Sequence, residues 1–359
     1  MPDNRDSKMT SPSEFHQDDT KVDLTDQLRT LIGGSTLSRQ ATADAFEAMM
    51  TGRVHHGEMG ALLALLARRQ PTCDELVGAA QVMRRHVTRI ESSIPVDQIL
   101  DTAGTGGAPK TWNVSTAAAI IAAAGGVPVA KHGNRSRTGR GSAEALQSLG
   151  VDVDAGADVQ AKCLDEVGIC FCFAIHHHPA TKHVMPVRKA LGVPTIFNLL
   201  GPLTNPAGAG RQMMGIYDAD FLDVVGKAFV ELGTGHAMVL HSEDGLDECS
   251  ISAPTTIVHV MDGEVRNESI TPEDVGLERA PIESVTARDL DHATEMVRGV
   301  LDGTLVGHVL DMALLNAAAA LYVGGRSETI GDGVDIARDA ITSGKANETL
   351  RKLADASSS

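Results

Sequence analysis

The sequence predicts an α/β protein: a small all-helical domain followed by a large domain with a mostly parallel sheet. Three observations carry this. From Asp26 to about Ile90, apolar positions recur at helical spacing and no strand candidate interrupts them. Beyond Ser92 to Pro95, short β-type segments alternate with helices, the pattern of parallel strands joined by crossovers. Apolar residues make up 42% of the 359 and aromatics only 3%, so the core is large and aliphatic and wholesale disorder is excluded. The expected boundaries are a polar, disordered tail over 1–22, a helical domain over 23–94 and an α/β domain over 95–359. A segment around 198–232 is a candidate to pack with the helical domain.

In chain order, Ser38 reads as an N-cap with Ala41, Ala45, Phe46 and Met49 behind it and Gly52 as the stop. His55 to Ala67 continues with a dense Leu/Ala face. Thr72-Cys-Asp-Glu75 is a capping-box pattern that opens a helix running through Arg85. The next segments are Ile99 to Thr102 (β), Thr116 to Ala124 (helix), Val127 to Ala130 (β) and Ser142 to Leu149 (helix). Further β-type stretches are expected at Ile169 to Phe173, Thr195 to Phe197, Met213 to Tyr217 and His236 to His241, and two helices after Ala313.

The charge balance is 31 − 47 = −16, which favours solubility and argues against a broad nucleic-acid-binding face. No 18-residue apolar run escapes a charge or a glycine break, so no membrane span is expected. The first 22 residues resemble neither a secretory signal nor a transit peptide, and the five cysteines contain no C-x-x-C pair. The expectation is a cytoplasmic protein with reduced thiols.

Five stretches stand out. Asp101-Thr-Ala-Gly-Thr-Gly-Gly107 leads through Thr111 and Asn113 into an Ala-rich helix, so a glycine loop meets a helix start. Free N–H groups and the positive dipole end suit a phosphate there. The spacing matches neither the dinucleotide fingerprint nor the Walker A pattern. The run Lys131-His-Gly-Asn-Arg135 to Ser142 places four cations within ten residues after a β segment, which suits a polyanion. Asp247-Glu248, after another β segment, offers oxygen ligands of the kind Mg²⁺ prefers. The three histidines 176–178, near Cys170 and Cys172, are consecutive and cannot all face one ion, which argues against zinc. Asn198 to Ala207, rich in Gly and Pro, reads as a rigid bend or hinge.

The runs GTGG…NVST, KHGNRS, VRKALGVPTIFNLLGPLTNPA and DGLDE occur in this order and closely resemble the anthranilate phosphoribosyltransferase family, from about Asp26 to Lys352. The resemblance implies the nucleoside phosphorylase/phosphoribosyltransferase-like fold, an active site in the cleft between the two domains, and a homodimer. It implies that Gly104, Gly107, Thr111, Asn113, Val114, Ser115, Thr116, Lys131, Asn134, Arg135, Thr138 and Ser142 hold phosphoribosyl pyrophosphate. Gly104, His132, Asn134, His178 and Arg188 would meet anthranilate, and Ser115, Asp247 and Glu248 would hold Mg²⁺. No catalytic base is expected, because a weakly basic aromatic amine attacks without prior deprotonation and no Ser/His/Asp triad is present. The implied role is transfer of the phosphoribosyl group in tryptophan biosynthesis. The alternatives are a nucleoside phosphorylase of the same architecture and a catalytically silent, nucleic-acid-binding relative.

The chain departs from the family pattern at Ala108, where Asp is usual, and both anion loops are one residue short. Arg137 replaces an apolar residue, and Lys110 lies two residues beyond Ala108. If Lys110 has taken over charge balance at the diphosphate, Ala108→Asp pairs with it. Donor binding then weakens by up to about 1–2 kcal/mol. Titration of phosphoribosyl pyrophosphate into both proteins at fixed Mg²⁺ checks this, and a tighter variant contradicts it.

Overall fold

The computed structural model describes residues 21–109, 111–136 and 139–359, so Lys110, Arg137, Thr138 and most of the tail lie outside it. Four helices come first: α1 (Thr25–Ile32), α2 (Arg39–Met50), α3 (His56–Ala67) and α4 (Cys73–Arg85). Ser38 caps α2 by accepting from Ala41 N at 3.2 Å. Thr72 and Glu75 form a reciprocal capping box on α4. Glu75 does more than cap: it is fully buried, accepts from Leu37 N at 2.9 Å, and is held by both terminal nitrogens of Arg69.

The second part unfolds in the order β1 (Leu100–Asp101), α5 (Val114–Ala124), β2 (Val129–Gly133), α6 (Ser142–Ser148), α7 (Ala157–Val167) and β3 (Ile169–Phe173). Three short helices then return along the first domain: α8 (Ala174–His177), α9 (Met185–Leu191) and α10 (Ile196–Leu200). β4 (Arg211–Gly215), α11 (Leu222–Glu231), β5 (His236–Ser242), β6 (Thr255–Met261) and β7 (Glu264–Ile270) complete the strands. The chain ends in α12 (Leu290–Leu301), α13 (His308–Val323), α14 (Ile330–Thr342) and α15 (Lys345–Ser357).

The sheet order is β3-β2-β1-β4-β5-β6-β7, parallel through β5 and antiparallel beyond it. Its strands alternate between two cores, as a period of two demands. Met213, Met238, Leu240 and Ile257 face the core built on α5 and α12 to α15. Met214, Val239, Val258 and Val260 face a second core shared with α1 to α4. Phe197, Leu199 and Leu200 of α10 and Val225 and Phe229 of α11 join that second core. Polar ties cross between the same parts: Arg84 donates to Leu203 O and Leu232 O, and Thr88 N and Ile90 N donate to His177 O and Pro206 O. The chain steps outward from β1 to β3 and then crosses back to β4 on the other side of β1. That reversal is where sheets of this kind open a crevice at their strand C-termini.

Several elements differ from expectation. Thr195 to Phe197, expected as β, begins α10 instead. Asn198 Oδ1 accepts from Thr195 N at 3.1 Å, a helix-start contact, and Phe197 stacks 5.5 Å from Phe46. Three helices, not two, follow residue 308, and the β6–β7 hairpin, α7 and α12 add to the expected elements.

Glu75→Ala is expected to destabilise the protein by about 3 kcal/mol, because it strands the Arg69 guanidinium, the buried Leu37 N–H and the half-buried Thr72 N–H. Arg69 is partly exposed, which limits the loss. Urea unfolding monitored by circular dichroism measures this, and a change below 1 kcal/mol would show that the network contributes little.

Candidate functional site

The crevice forms where β1 stops after two residues. In the register Leu100↔Val129, with Leu100 N donating to Pro128 O, residue 102 would next bond Ala130 O and His132 N. It bonds neither. Asn205 Nδ2 donates to Ala130 O at 2.8 Å, and Asp101 Oδ1 accepts from His132 N at 3.0 Å. The same Oδ1 accepts from Ala103 N at 3.0 Å, at the entrance to the glycine loop. Two side chains thus replace the missing ladder, and the chain after Asp101 is free to turn over the sheet edge.

The loops that this opening brings together come from four strands. Gly215 ends β4, and any Cβ there would overlap the Asp247 carbonyl, so the carboxylate loop after β5 packs directly on β4. A Cβ on Gly104 would lie 3.2 Å from Asp247 Oδ2, which places the glycine loop on the same carboxylate. Thr111 Oγ1 donates to Glu248 Oε2 at 3.2 Å. Gly107 has φ +102°, open to glycine and strained for other residues, and it rests against Tyr217. Tyr217 N in turn donates to Thr105 Oγ1 at 3.0 Å.

Lys131 lies on β2 and is 3% exposed. Its ammonium donates to Thr102 Oγ1 at 3.2 Å and Ser115 Oγ at 3.4 Å. Burial pushes its pKa down to about 8, with Asp101 and Glu248 pulling the other way. Asp101 is fully buried, and burial raises it to about 6 against the Asn205 amide, His132 N–H and Lys131. Asn113 precedes α5 without capping it and donates to Arg140 O at 3.4 Å. The Val114 side chain is buried in the core, so it can serve a ligand only through its backbone. Thr116 is also buried, its Oγ1 without a partner among the described residues.

On the other side of Lys131, His132 Nδ1 lies 3.1 Å from Gly201 O and its Nε2 lies 3.2 Å from His178 Nε2. A carbonyl only accepts, so His132 carries its proton on Nδ1. Its Nε2 then accepts from His178, whose Nδ1 is left as an acceptor. Burial holds His132 well below the usual imidazole value, with His178 and His177 adding to it. Burial also takes His178 down to about 4. Arg188, midway along α9, lies with its guanidinium carbon 5.1 Å from the centre of the Phe197 ring. Asn134 and Arg135 are exposed: Asn134 Oδ1 accepts from Arg135 N, and the Arg135 guanidinium lies over Phe173 at 5.6 Å. Ser142 opens α6 with its hydroxyl against Gly133. Thr138, expected at the donor site, is outside the described residues.

Asp247 lies against the Gly104 turn and Glu248 against Thr111, a pair of carboxylates that suits a hard cation such as Mg²⁺, while Ser115 meets Lys131. Among the described residues no group of three His, Cys, Asp or Glu side chains is placed to hold a metal, the histidine run 176–178 included. Residues that the motifs did not single out complete the mount. Asn316 on α13 is 1% exposed and clamps Cys249, accepting from its N–H at 3.0 Å and donating to its carbonyl at 2.9 Å. Ser242 Oγ donates to Glu248 O at 2.7 Å. Asp101 opens the glycine-loop stretch and Asn205 lies in the Asn198 to Ala207 bend, but neither was assigned a role there, and Asn316 lies in no motif, since a single Asp or Asn at a strand end or turn reads as local capping.

A helical bundle joined to an α/β domain, with anion loops at the switch point, defines a glycosyl transferase architecture. Residues 25–87 match the helical bundle domain of the glycosyl transferase family and residues 96–347 its a/b domain. The chain belongs to the anthranilate phosphoribosyltransferase family. It is 43% identical over 334 residues to the anthranilate phosphoribosyltransferase of Thioalkalivibrio sulfidiphilus, covering 92% of this chain and 98% of that one. It is 45% identical over 323 residues to that of Azorhizobium caulinodans, covering 89% and 93%. The crystal structure of anthranilate phosphoribosyltransferase from Thermus thermophilus superposes with a TM-score of 0.87 at 36% identity, over 93% of this chain and 100% of that one. The Saccharomyces cerevisiae enzyme in complex with PRPP and Mg superposes at 0.84 and 25% identity, over 93% and 98%.

The buried histidines make a pH prediction. A folded-state pKa below the ordinary 6.5 means the unfolded chain binds the proton first. Stability from His178 is therefore present above about 6.5 and lost as pH falls towards 4. Asp101, raised to about 6, works the opposite way between 3.8 and 6. His178→Gln is expected to lessen the loss of unfolding free energy between pH 6.5 and 4 by up to about 3 kcal/mol. Urea titrations across that range decide it, and an unchanged slope contradicts the assignment.

Proposed function

We propose that this chain transfers the 5-phosphoribosyl group from phosphoribosyl pyrophosphate to anthranilate, with release of pyrophosphate, as a step of tryptophan biosynthesis. One observation supports this above the others: a buried ammonium, a glycine loop, a helix start and a carboxylate pair converge on one crevice at the switch point. That set suits a polyanionic leaving group and a sugar phosphate.

The reaction forms a bond from the anthranilate nitrogen to the anomeric carbon and breaks the bond from that carbon to the diphosphate. Positive charge develops on the sugar and negative charge on the leaving group, so positioning and electrostatics matter more than a strong base. Lys131, with the N–H groups of the Gly104 to Gly107 loop and the start of α5, stabilises the departing diphosphate. Ser115, Asp247 and Glu248 would hold Mg²⁺, which when bound supplies further neutralisation of the diphosphate charge. Thr111, Asn113, Asn134, Arg135 and Ser142 line the donor, and Thr116, fully buried in the first turn of α5, supports the helix start behind them. Arg188, oriented by Phe197, clamps the anthranilate carboxylate, and Asn134 orients the ring while His132 and His178 line its approach. The neutral state of that histidine pair suits a subsite for an aromatic acceptor, because it adds no charge beside the amine. After the carbon–nitrogen bond forms, the amine releases its proton.

The working form is proposed to be a cytoplasmic homodimer. Among the described residues no helix is long and apolar enough to cross a membrane.

Arg188→Ala is expected to raise KM for anthranilate at least tenfold while leaving KM for the donor within about twofold, since only the acceptor carries the clamped carboxylate. Equal effects on both constants would assign Arg188 a structural role. Asp247→Asn with Glu248→Gln should abolish turnover at limiting Mg²⁺ without lowering the melting temperature. A near wild-type rate would remove the carboxylate pair from the metal assignment.

A further inference from the structure

The donor and acceptor loops share one mechanical anchor. Asp101 Oδ1 is 3.0 Å from Ala103 N, one residue before the glycine loop, and 3.0 Å from His132 N, on the strand end that carries Lys131 and His132. Asp101 itself is fully buried, and its backbone belongs to β1, which pairs with β2 on one side and β4 on the other. Neither loop is held to the other by backbone ladder at this point, because β1 has left the sheet. Asn205 takes the second vacated ladder position on Ala130 O, and its Oδ1 accepts from Ala207 N, which ties the bend after α10 into the same gap.

We infer that Asp101 is a positioning residue: through one oxygen it holds the glycine loop and the His132 end of β2 in register, so that donor and acceptor sites are built at a fixed separation. The inference rests on the reading of these two loops as donor and acceptor sites. Apart from its charge beside Lys131, the carboxylate reaches the site only through Ala103 N and His132 N, so its hold on the two loops is exerted by backbone placement. A loss at Asp101 should therefore disturb both substrates together, unlike a loss at Arg188 or at Asp247.

The experiment compares Asp101→Asn, Asp101→Ser and Asp101→Ala in the full-length protein. Phosphoribosyl pyrophosphate, anthranilate and Mg²⁺ are varied, and the folded fraction is measured by circular dichroism. Asp101→Ala is expected to raise KM for both substrates by about tenfold or more, the usual consequence of losing hydrogen bonds to a charged acceptor. Asp101→Asn keeps an acceptor oxygen at the same place and is expected to stay within about threefold of wild type on both constants. Asp101→Ser is too short to serve both N–H groups and falls between the two. Amide hydrogen exchange at Ala103 and His132 should accelerate together in the Ser and Ala variants and stay protected in the Asn variant. If the Ala variant does not fold, the Ser and Asn variants with the exchange data still decide the matter. Either a KM change for one substrate alone, or a fall in kcat that tracks folded fraction with both KM values unchanged, overturns the inference. Joint acceleration of exchange in the Ser and Ala variants, together with a wild-type protein that shows no turnover, would sustain the anchor and sink the transferase reading, which separates the two.

Discussion

The whole site depends on a strand that stops early. β1 contributes two residues to the middle of a seven-stranded sheet, and the ladder that should continue it is replaced by the carboxylate of Asp101 and the amide of Asn205. Had β1 run two residues further, its own backbone would have satisfied Ala130 O and His132 N and closed the gap. The glycine loop could not then fold back to meet Asp247 across Gly215. Chain reversal between β3 and β4 puts this gap at the topological switch point, where the strand ends of β1, β2, β4 and β5 all open to the same side.

That opening has an electrostatic cost, and the neighbouring residues offset it. Buried Asp101 and Lys131 lie on neighbouring strands, each shifted by burial towards its neutral form and each partly restored by the other's charge. Lys131 also faces Glu248, so the crevice holds a cation poised between carboxylates before any ligand enters. A polyanion that binds there strengthens the case for a charged lysine, and an oxygen-ligated cation relieves Glu248 and Asp247. In a chain of net charge −16, this local arrangement, and not the overall field, is what can hold a diphosphate. The acceptor side is different in kind. His132 and His178 form a neutral, hydrogen-bonded pair tied to Gly201 O, and Arg188 is backed by an aromatic ring.

Much of this was legible in the residues. The alternation of β segments and helices after Pro95 reads directly as a parallel sheet. The glycine loop, the KHGNR run and the DGLDE run each fall at a strand end, as their composition suggests. Thr195 to Phe197 misled because Thr, Ile and Phe favour strands, while a tertiary contact with Phe46 and the Asn198 cap made them a helix start. The supporting residues were invisible for a different reason. Asp101, Asn205 and Asn316 act on backbone groups brought near by topology, over sequence separations of 31, 75 and 67 residues. A single polar residue gives no local pattern from which such a partner can be inferred. The His132–His178 contact likewise joins β2 to the end of α8 across 46 residues.

The central claim is that this crevice joins a phosphoribosyl group to an aromatic amine. The most direct measurement mixes the purified protein with anthranilate, phosphoribosyl pyrophosphate and Mg²⁺ and follows anthranilate fluorescence, with released pyrophosphate counted in parallel. The account predicts that fluorescence falls with repeated turnover, that one pyrophosphate appears per anthranilate consumed, and that chelating the Mg²⁺ stops both. Unchanged fluorescence with all three components present, or pyrophosphate release that does not depend on anthranilate, would contradict it.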